Sequence, residues 1–186
     1  MTLFIDACVR EHSRTKRLAE RLLARFTDEI MRIDLSGTHF PKVDGDFISW
    51  RTEMCARGDF SSPVFGLAKE FARADTVVIA APYWDLSFPA ALKSYLEQVC
   101  VVGLTFRYEN DRPKGLCRAR KLYYVTTAGG PVMSEEFGFG YVKALAQGFF
   151  GIGECVMIKA ENLDVLGADE REIMAGALAQ IDALKL

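Results

Sequence analysis

The chain has 186 residues, of which 50% are hydrophobic and 26% are charged, and its formal net charge is −2. This composition is typical of a soluble globular protein. The length predicts a single domain, residues 1–186, whose core is large enough to be stable without disulfide bonds. The near balance of charges argues against a nucleic-acid-binding protein. The five scattered cysteines argue against a disulfide framework and against a zinc or iron–sulfur site.

No segment approaches the ~18 consecutive apolar residues of a membrane span. The first residues also lack the basic and apolar regions of a signal peptide. We therefore expect a cytoplasmic protein that has neither a membrane nor a nucleic acid as a partner.

Strand and helix patterns alternate along the chain. In chain order, the predicted elements are the strand Thr2–Ala7, the helix Ser13–Phe26, the strand Glu29–Leu35, the helix Val64–Ala74, the strand Thr76–Ala81, the helix Phe88–Cys100, the strand Lys121–Thr127, the helix Ser134–Phe149, the strand Glu154–Lys159 and the helix Asp169–Leu184. Ser87 is predicted to cap the helix that follows it, with Pro89 in the first turn. Sections 36–63 and 101–117 are predicted to be loops, and a loop as long as the first is usually functional or partly helical.

The alternation predicts an α/β protein whose parallel sheet is covered by helices on both faces. Right-handed crossovers leave few topologies, and five strands at this spacing favour the doubly wound, flavodoxin-like order 2-1-3-4-5. In that order, the first, third and fourth strands are neighbours. The loops at their carboxyl ends are therefore expected to form one crevice.

The loop after the first strand has the features of an anion site. Ser13 and Thr15 supply hydroxyls at a helix start, where backbone amides and the helix dipole favour negative charge. Arg14 adds a donor for a charge-assisted hydrogen bond. The alternative is plain N-capping by Ser13. Because this turn lacks glycine, a phosphate monoester fits it better than a dinucleotide pyrophosphate.

The next two loops have other properties. The third strand is followed by the flat and polar side chains of Pro82, Tyr83, Trp84, Asp85 and Leu86, which suit a flat aromatic ligand. The fourth strand ends in Thr127, Ala128, Gly129 and Gly130, where two glycines allow close approach of the backbone to a ligand. The alternatives are core packing for the aromatic pair and a simple turn for the glycines.

Four segments together carry a resemblance: 13–15, 81–86 continuing into 89–95, the GLTFRY stretch at 103–108, and 127–130. With them, the chain resembles the FMN-dependent NAD(P)H:quinone oxidoreductases and azoreductases of the flavodoxin-like superfamily. The resemblance covers nearly the whole chain. It departs at Ala128, where several azoreductases carry a larger polar residue, and in section 38–63, which matches no pattern.

The resemblance implies a tightly bound FMN, with its phosphate at Ser13, Arg14 and Thr15. It implies that the isoalloxazine ring lies against segment 82–86 and that residues 127–130 contact the pyrimidine edge. Backbone amides would then stabilise the reduced ring, in the manner of an oxyanion hole. Asp85 is either a general acid or, more simply, a loop carboxylate that accepts from backbone amides.

The resemblance also implies a homodimer with the active site at the subunit interface. NAD(P)H would be the co-substrate and a quinone or azo compound the acceptor, in a ping-pong reaction without a catalytic side chain or a metal. One alternative is a flavodoxin-type electron carrier, which the balance of 23 basic and 25 acidic residues disfavours. The other is a flavin-free binding or signalling module, disfavoured because the first strand holds only Asp6 as an acidic residue.

Overall fold

The computed structural model describes residues 1–186. Its strands and helices are β1 (Thr2–Asp6), α1 (Arg14–Leu23), β2 (Ile30–Asp34), α2 (Gly45–Arg57), α3 (Gly66–Arg73), β3 (Thr76–Ala80), α4 (Ala90–Val99), β4 (Phe106–Glu109), β5 (Arg112–Gly115), β6 (Lys121–Thr127), α5 (Tyr141–Leu145), β7 (Glu154–Ala160) and α6 (Glu170–Ala183). None of the helices combines the length and the apolar character needed to cross a bilayer.

Five strands form one parallel sheet in the order β2-β1-β3-β6-β7. This is the predicted order 2-1-3-4-5, and the prediction of a flavodoxin-like α/β fold is confirmed. The central strand β3 is a continuous apolar run because both of its faces are covered. The order places the carboxyl ends of β1, β3 and β6 side by side.

Alternate residues of the strands enter two separate core layers. Phe4 of β1 and Val78 of β3 pack in one layer with side chains of α1 and α6, such as Leu22 and Ile181. Leu3, Ile5, Val77 and Ile79 of the same strands enter the other layer, with Phe71 of α3, Tyr95 of α4 and Val142 of α5. The predicted helices on both faces are therefore confirmed.

Section 36–63, predicted to be a loop that is functional or partly helical, is partly helical, because it contains α2. Asp44 caps this helix, since its carboxylate accepts from the Phe47 amide at 3.1 Å, and Gly58 ends it at a φ of +67°. No residue of α2 is buried in the chain. Trp50, Met54 and Cys55, which share one side of α2, are partly buried against the small cluster of Phe65, Ala68 and Val101. The sequence signals for α2 are therefore this short apolar stripe and its two capping residues.

The predicted loop 101–117 is wrong, because β4 and β5 pair as an antiparallel hairpin within it. Asn110 and Asp111 form its two-residue turn, with φ values of +51° and +60°, the left-handed conformation that such tight hairpins require. The predicted helix 134–149 is present as α5 between two π-helical segments, Glu136–Gly140 and Ala146–Phe150.

Candidate functional site

A cleft of about 230 Å³ lies at the carboxyl ends of β1, β3 and β6. Its lining comes from all three predicted loops and from the loop after β7: Val9, Arg10, His12, Ser13, Arg14, Thr15, Pro82, Tyr83, Trp84, Thr127, Gly129 and Asp164. The topology thus brings together most of the predicted site residues. The other predicted residues, Asp85, Leu86, Ala128 and Gly130, lie outside this lining.

Ser13 is the N-cap of α1, and its Oγ atom accepts from the Lys16 amide at 3.2 Å. N-capping by Ser13 is therefore confirmed. This bond uses an acceptor site of the hydroxyl, so the O–H proton is free to donate to an anion in the cleft. Capping and anion binding are compatible roles for this side chain.

Thr15 ties the start of α1 to the end of β6. Its Oγ1 atom lies 2.6 Å from Oγ1 of Thr127, and both side chains are buried. A hydroxyl pair shares one proton and leaves the other proton available, so one hydrogen-bond donor can still face the cleft. The contact fixes the distance between two of the three loops.

Asp6 stabilises the loop that follows β1, a role that the sequence analysis did not predict. Its buried carboxylate accepts from the Cys8 amide at 2.9 Å and lies 2.7 Å from Nζ of Lys16. The bond to Asp6 raises the pKa of Lys16. Burial raises the pKa of the neighbouring Cys8 thiol to about 12, so this cysteine stays protonated near neutral pH. An acidic residue at the end of a buried strand is the signal that indicates such a role.

Arg14 forms a bidentate ion pair with Asp164, a residue that the sequence analysis did not select. Nη1 and Nη2 of Arg14 donate to Oδ1 and Oδ2 of Asp164 at 2.8 and 3.0 Å. Arg14 lowers the pKa of the Asp164 carboxyl, and Asp164 raises the pKa of Arg14. Asp164 follows β7, so the general rule that ligands lie at strand carboxyl ends is the signal that pointed to it.

The ion pair leaves no room for a side chain at position 129, which is Gly129. A Cβ atom at position 129 would overlap Oδ2 of Asp164 and lie 3.2 Å from its Cγ. The Gly129 carbonyl also accepts from the Asp164 amide at 2.8 Å. The predicted close approach at this glycine therefore involves Asp164. Gly130 differs, because a Cβ there would meet nothing within 4 Å.

Segment 127–130 continues the pairing of β6 with β7. The buried Ala128 donates its amide to the Ala160 carbonyl at 2.9 Å and accepts from Leu163 at 3.2 Å. The amides of Gly129 and Gly130 donate to no other backbone group. Two amide donors are thus left free at the end of β6.

The aromatic loop is a tight turn. Trp84 and Ser87 exchange backbone hydrogen bonds of 3.1 and 2.7 Å around Asp85 and Leu86. These two central residues have φ values of +50° and +68°. A left-handed conformation at a branched side chain such as Leu86 costs on the order of 1–3 kcal/mol, and such strain concentrates at functional sites. Neither of the two amides donates to a backbone acceptor.

The prediction that Ser87 caps α4 is wrong. Pro89 occupies the N-cap position, while Ser87 closes the tight turn and its hydroxyl donates to the Phe137 carbonyl at 2.5 Å. Tyr83 makes a second link to the same segment, because its hydroxyl accepts from the Ser134 amide at 3.3 Å. The turn, whose Trp84 lines the cleft, and segment 133–137 are therefore linked as one unit.

Large apolar side chains lie exposed on this unit. They are Trp84, Leu86, Met133 and Phe137, with exposed fractions of 36%, 47%, 75% and 55%. Single exposed apolar residues need no explanation, but several on two linked segments beside a cleft indicate a binding surface.

Comparison with known proteins decides the family. A family model described as a flavodoxin-like fold matches residues 1–184. The chain is 34% identical over 176 residues to the "FMN-dependent NADH:quinone oxidoreductase 2" of Clostridium acetobutylicum, which covers 89% of this chain and 87% of that protein. The chain belongs to the flavodoxin-like family of FMN-dependent NADH:quinone oxidoreductases and azoreductases.

Other members support the same assignment. The chain is also 32% identical over 183 residues to the "FMN-dependent NADH:quinone oxidoreductase 2" of Clostridium perfringens, and the match covers 91% of this chain and 90% of the Clostridium perfringens protein. Among solved structures, the azoreductase from Bacillus anthracis superposes with a TM-score of 0.81 at 25% identity, covering 97% of this chain and 95% of that chain. The resemblance stated from the sequence is confirmed.

Proposed function

We propose that this protein is an FMN-dependent oxidoreductase that passes two electrons from NAD(P)H to a quinone or azo compound. The observation that carries the proposal is the cleft in which a helix start with hydroxyl and guanidinium donors lies beside a strained aromatic turn with free amides. The names of the two Clostridium relatives, both FMN-dependent NADH:quinone oxidoreductases, support the same cofactor and reaction. The match over residues 1–184 supports a single domain.

The first test of this proposal is whether the residues fit FMN. At one end of the cleft, the Ser13 hydroxyl, the Thr15–Thr127 pair and Arg14 offer donors to a phosphate at the start of α1. Because glycine is absent from this turn, a terminal phosphate fits better than a bridging pyrophosphate. These residues fit the phosphate end of FMN.

The other end of the cleft fits a flat heteroaromatic ring. Pro82, Tyr83 and Trp84 line it, and the free amides of Asp85 and Leu86 lie on the adjacent turn. The free amides of Gly129 and Gly130 are the proposed donors to the pyrimidine edge, where reduction adds negative charge.

Bound FMN would supply the redox chemistry, taking two electrons from NAD(P)H and giving them to the acceptor in alternate halves of a ping-pong cycle. The contribution of this chain is binding and orientation. The tight turn holds two amides in a fixed direction, and its strain is supported by the Ser87–Phe137 hydrogen bond. Fixed donors lower the barrier because they need no reorganisation during the reaction.

The acceptor surface is proposed to be the apolar unit of Trp84, Leu86, Met133 and Phe137. Flat apolar molecules such as quinones and azo dyes bury well against exposed aromatic and thioether side chains. Asp85 is exposed and occupies a central position of the tight turn, so we assign it the role of turn residue.

We also propose that the protein is a homodimer. α2 has no fully buried residue within the chain, and the groove that it forms with α4 is lined by the exposed apolar side chains of Val43 and Ile48. A partner subunit would remove these side chains from water, which favours association. Sedimentation analysis of the purified protein measures the oligomeric state.

The visible spectrum tests the proposed function. Protein incubated with FMN and freed of excess ligand is expected to show a bound flavin spectrum that NADH bleaches without oxygen and that a quinone restores. A bound flavin that neither NADH nor NADPH bleaches would favour an electron carrier. A protein that stays colourless after incubation would refute the proposal and favour a flavin-free module.

A further inference from the structure

The ion pair between Arg14 and Asp164 joins two loops that are 150 residues apart in sequence. The Arg14 side chain is 23% exposed and lines the cleft together with Asp164. Glu170 lies further away, with its Oε2 3.7 Å from Nη1 of Arg14. The guanidinium is therefore held chiefly by Asp164 and is not free to swing into solvent.

The geometry of this pair leaves part of the guanidinium unused. An arginine side chain carries five N–H donors in a planar fork. Asp164 engages one N–H of each terminal nitrogen at 2.8 and 3.0 Å. The Nε proton and the neighbouring terminal proton form a second fork, which is the arrangement that binds phosphate oxygens in pairs.

Asp164 is itself fixed by the backbone. Its amide donates to the Gly129 carbonyl at 2.8 Å, and its carboxylate occupies the space that a side chain at position 129 would fill. The position of the Arg14 guanidinium thus depends on the end of β6 through Asp164. A carboxylate whose backbone is held against a strand end can orient an arginine more accurately than solvent can.

We propose that Asp164 is a positioning residue that orients Arg14 so that its remaining N–H groups face the phosphate of the ligand. This inference rests on the proposed function, and it deepens that function by adding a residue that does not itself touch the ligand. Asp164 carries a negative charge, so its direct effect on a phosphate is repulsive. Its net benefit must therefore come from the order that it imposes on Arg14.

Riboflavin provides the decisive probe, because it has the ring of FMN but no phosphate. The dissociation constants of FMN and riboflavin are measured by quenching of flavin fluorescence for the wild type and for Asp164→Asn, Asp164→Ala and Arg14→Ala. Immobilising a flexible side chain on binding costs about 0.5–1.5 kcal/mol. We therefore expect both Asp164 variants to bind FMN about two- to tenfold more weakly and riboflavin as tightly as the wild type does.

Two further variants separate positioning from fold stability. Asp182→Asn removes a bidentate pair of the same kind, between Asp182 and Arg21 of the same helix α1, far from the cleft. It is expected to leave FMN binding unchanged. In the Arg14→Ala background, Asp164→Ala is expected to cause no further loss, because Asp164 acts through Arg14.

Several results would overturn the inference. Unchanged FMN binding in the Asp164 variants would show that Asp164 does not position Arg14 for the phosphate. Tighter FMN binding would show that the repulsion between Asp164 and the phosphate is the larger effect. An equal loss for riboflavin, or an additive loss in the double variant, would show a role unrelated to Arg14 and the phosphate. A wild type that binds neither flavin would instead refute the proposed function, and this inference with it.

Discussion

The Ser13 side chain has two roles in the proposed site, and substitution separates them. As the N-cap of α1, its Oγ accepts from the Lys16 amide at 3.2 Å. As a ligand donor, its hydroxyl proton would bond to the phosphate of FMN. Alanine removes both roles, whereas glycine removes the hydroxyl but remains an acceptable N-cap residue.

The two roles have different magnitudes. Replacing a serine N-cap by alanine costs about 1 kcal/mol, and replacing it by glycine costs a few tenths. For a chain of this size, about 1 kcal/mol corresponds to a fall in Tm of about 2–4 °C. A hydrogen bond to a charged group is worth about 1.5–3 kcal/mol, which corresponds to a roughly 10- to 150-fold loss of FMN affinity.

We therefore expect Ser13→Ala to lower Tm by about 2–4 °C and Ser13→Gly to lower it by less. Both variants should lose FMN affinity to a similar extent, and both should bind riboflavin as the wild type does. Thermal unfolding of the ligand-free protein and fluorescence titration with the two flavins measure these effects.

A second N-cap serves as the control for this pair. Asp169 caps α6 by accepting from the Arg171 amide at 2.8 Å. Asp169→Ala should lower Tm while leaving FMN affinity unchanged. If Ser13→Gly bound FMN as tightly as the wild type, Ser13 would be a cap alone, and the assignment of the phosphate to this loop would be wrong.

Four other outcomes follow from single positions. Gly130→Val should leave Tm unchanged, because a Cβ at this position meets only open space in the protein. The variant should abolish FMN binding, because its side chain would fill the space proposed for the pyrimidine edge; full retention of flavin would contradict the assignment of this edge. Gly115→Ala should destabilise the fold by about 1–3 kcal/mol, since its Cβ would overlap the backbone nitrogen of Gly151. Gly176→Ala, inside α6 with open space around it, should stabilise by up to about 1 kcal/mol, and similar unfolding midpoints for these two variants would refute the steric argument. Because burial raises the Cys8 pKa to about 12, alkylation mapped by mass spectrometry at pH 8 should modify Cys8 only after denaturation; rapid modification in the native protein would contradict this.

The predictions from sequence succeeded where the signal is local. The apolar run 77–81 indicates a strand buried on both faces, and Ser13 before a helical pattern indicates a cap; both features are present in the structure. The predictions failed for the Ser87 cap and for the β4–β5 hairpin, and they did not place a helix at α2. α2 packs only partly buried side chains, such as Trp50 and Met54, against a small hydrophobic cluster, so its apolar stripe is weaker than that of a core helix. The hairpin depends on left-handed conformations at Asn110 and Asp111.

The candidate site shows the same division. The alternation of strands and helices predicts that three loops with hydroxyl, aromatic and glycine residues meet, because chirality and strand order leave few arrangements of five alternating strands. The contacts of Asp6 with Lys16 and of Asp164 with Arg14, and the left-handed conformations of Asp85 and Leu86, are visible only in the folded chain. Pairing between distant side chains depends on the register of whole strands, and strain at a turn is tolerated only because the surrounding contacts stabilise it. Neither effect has a signature in neighbouring residues.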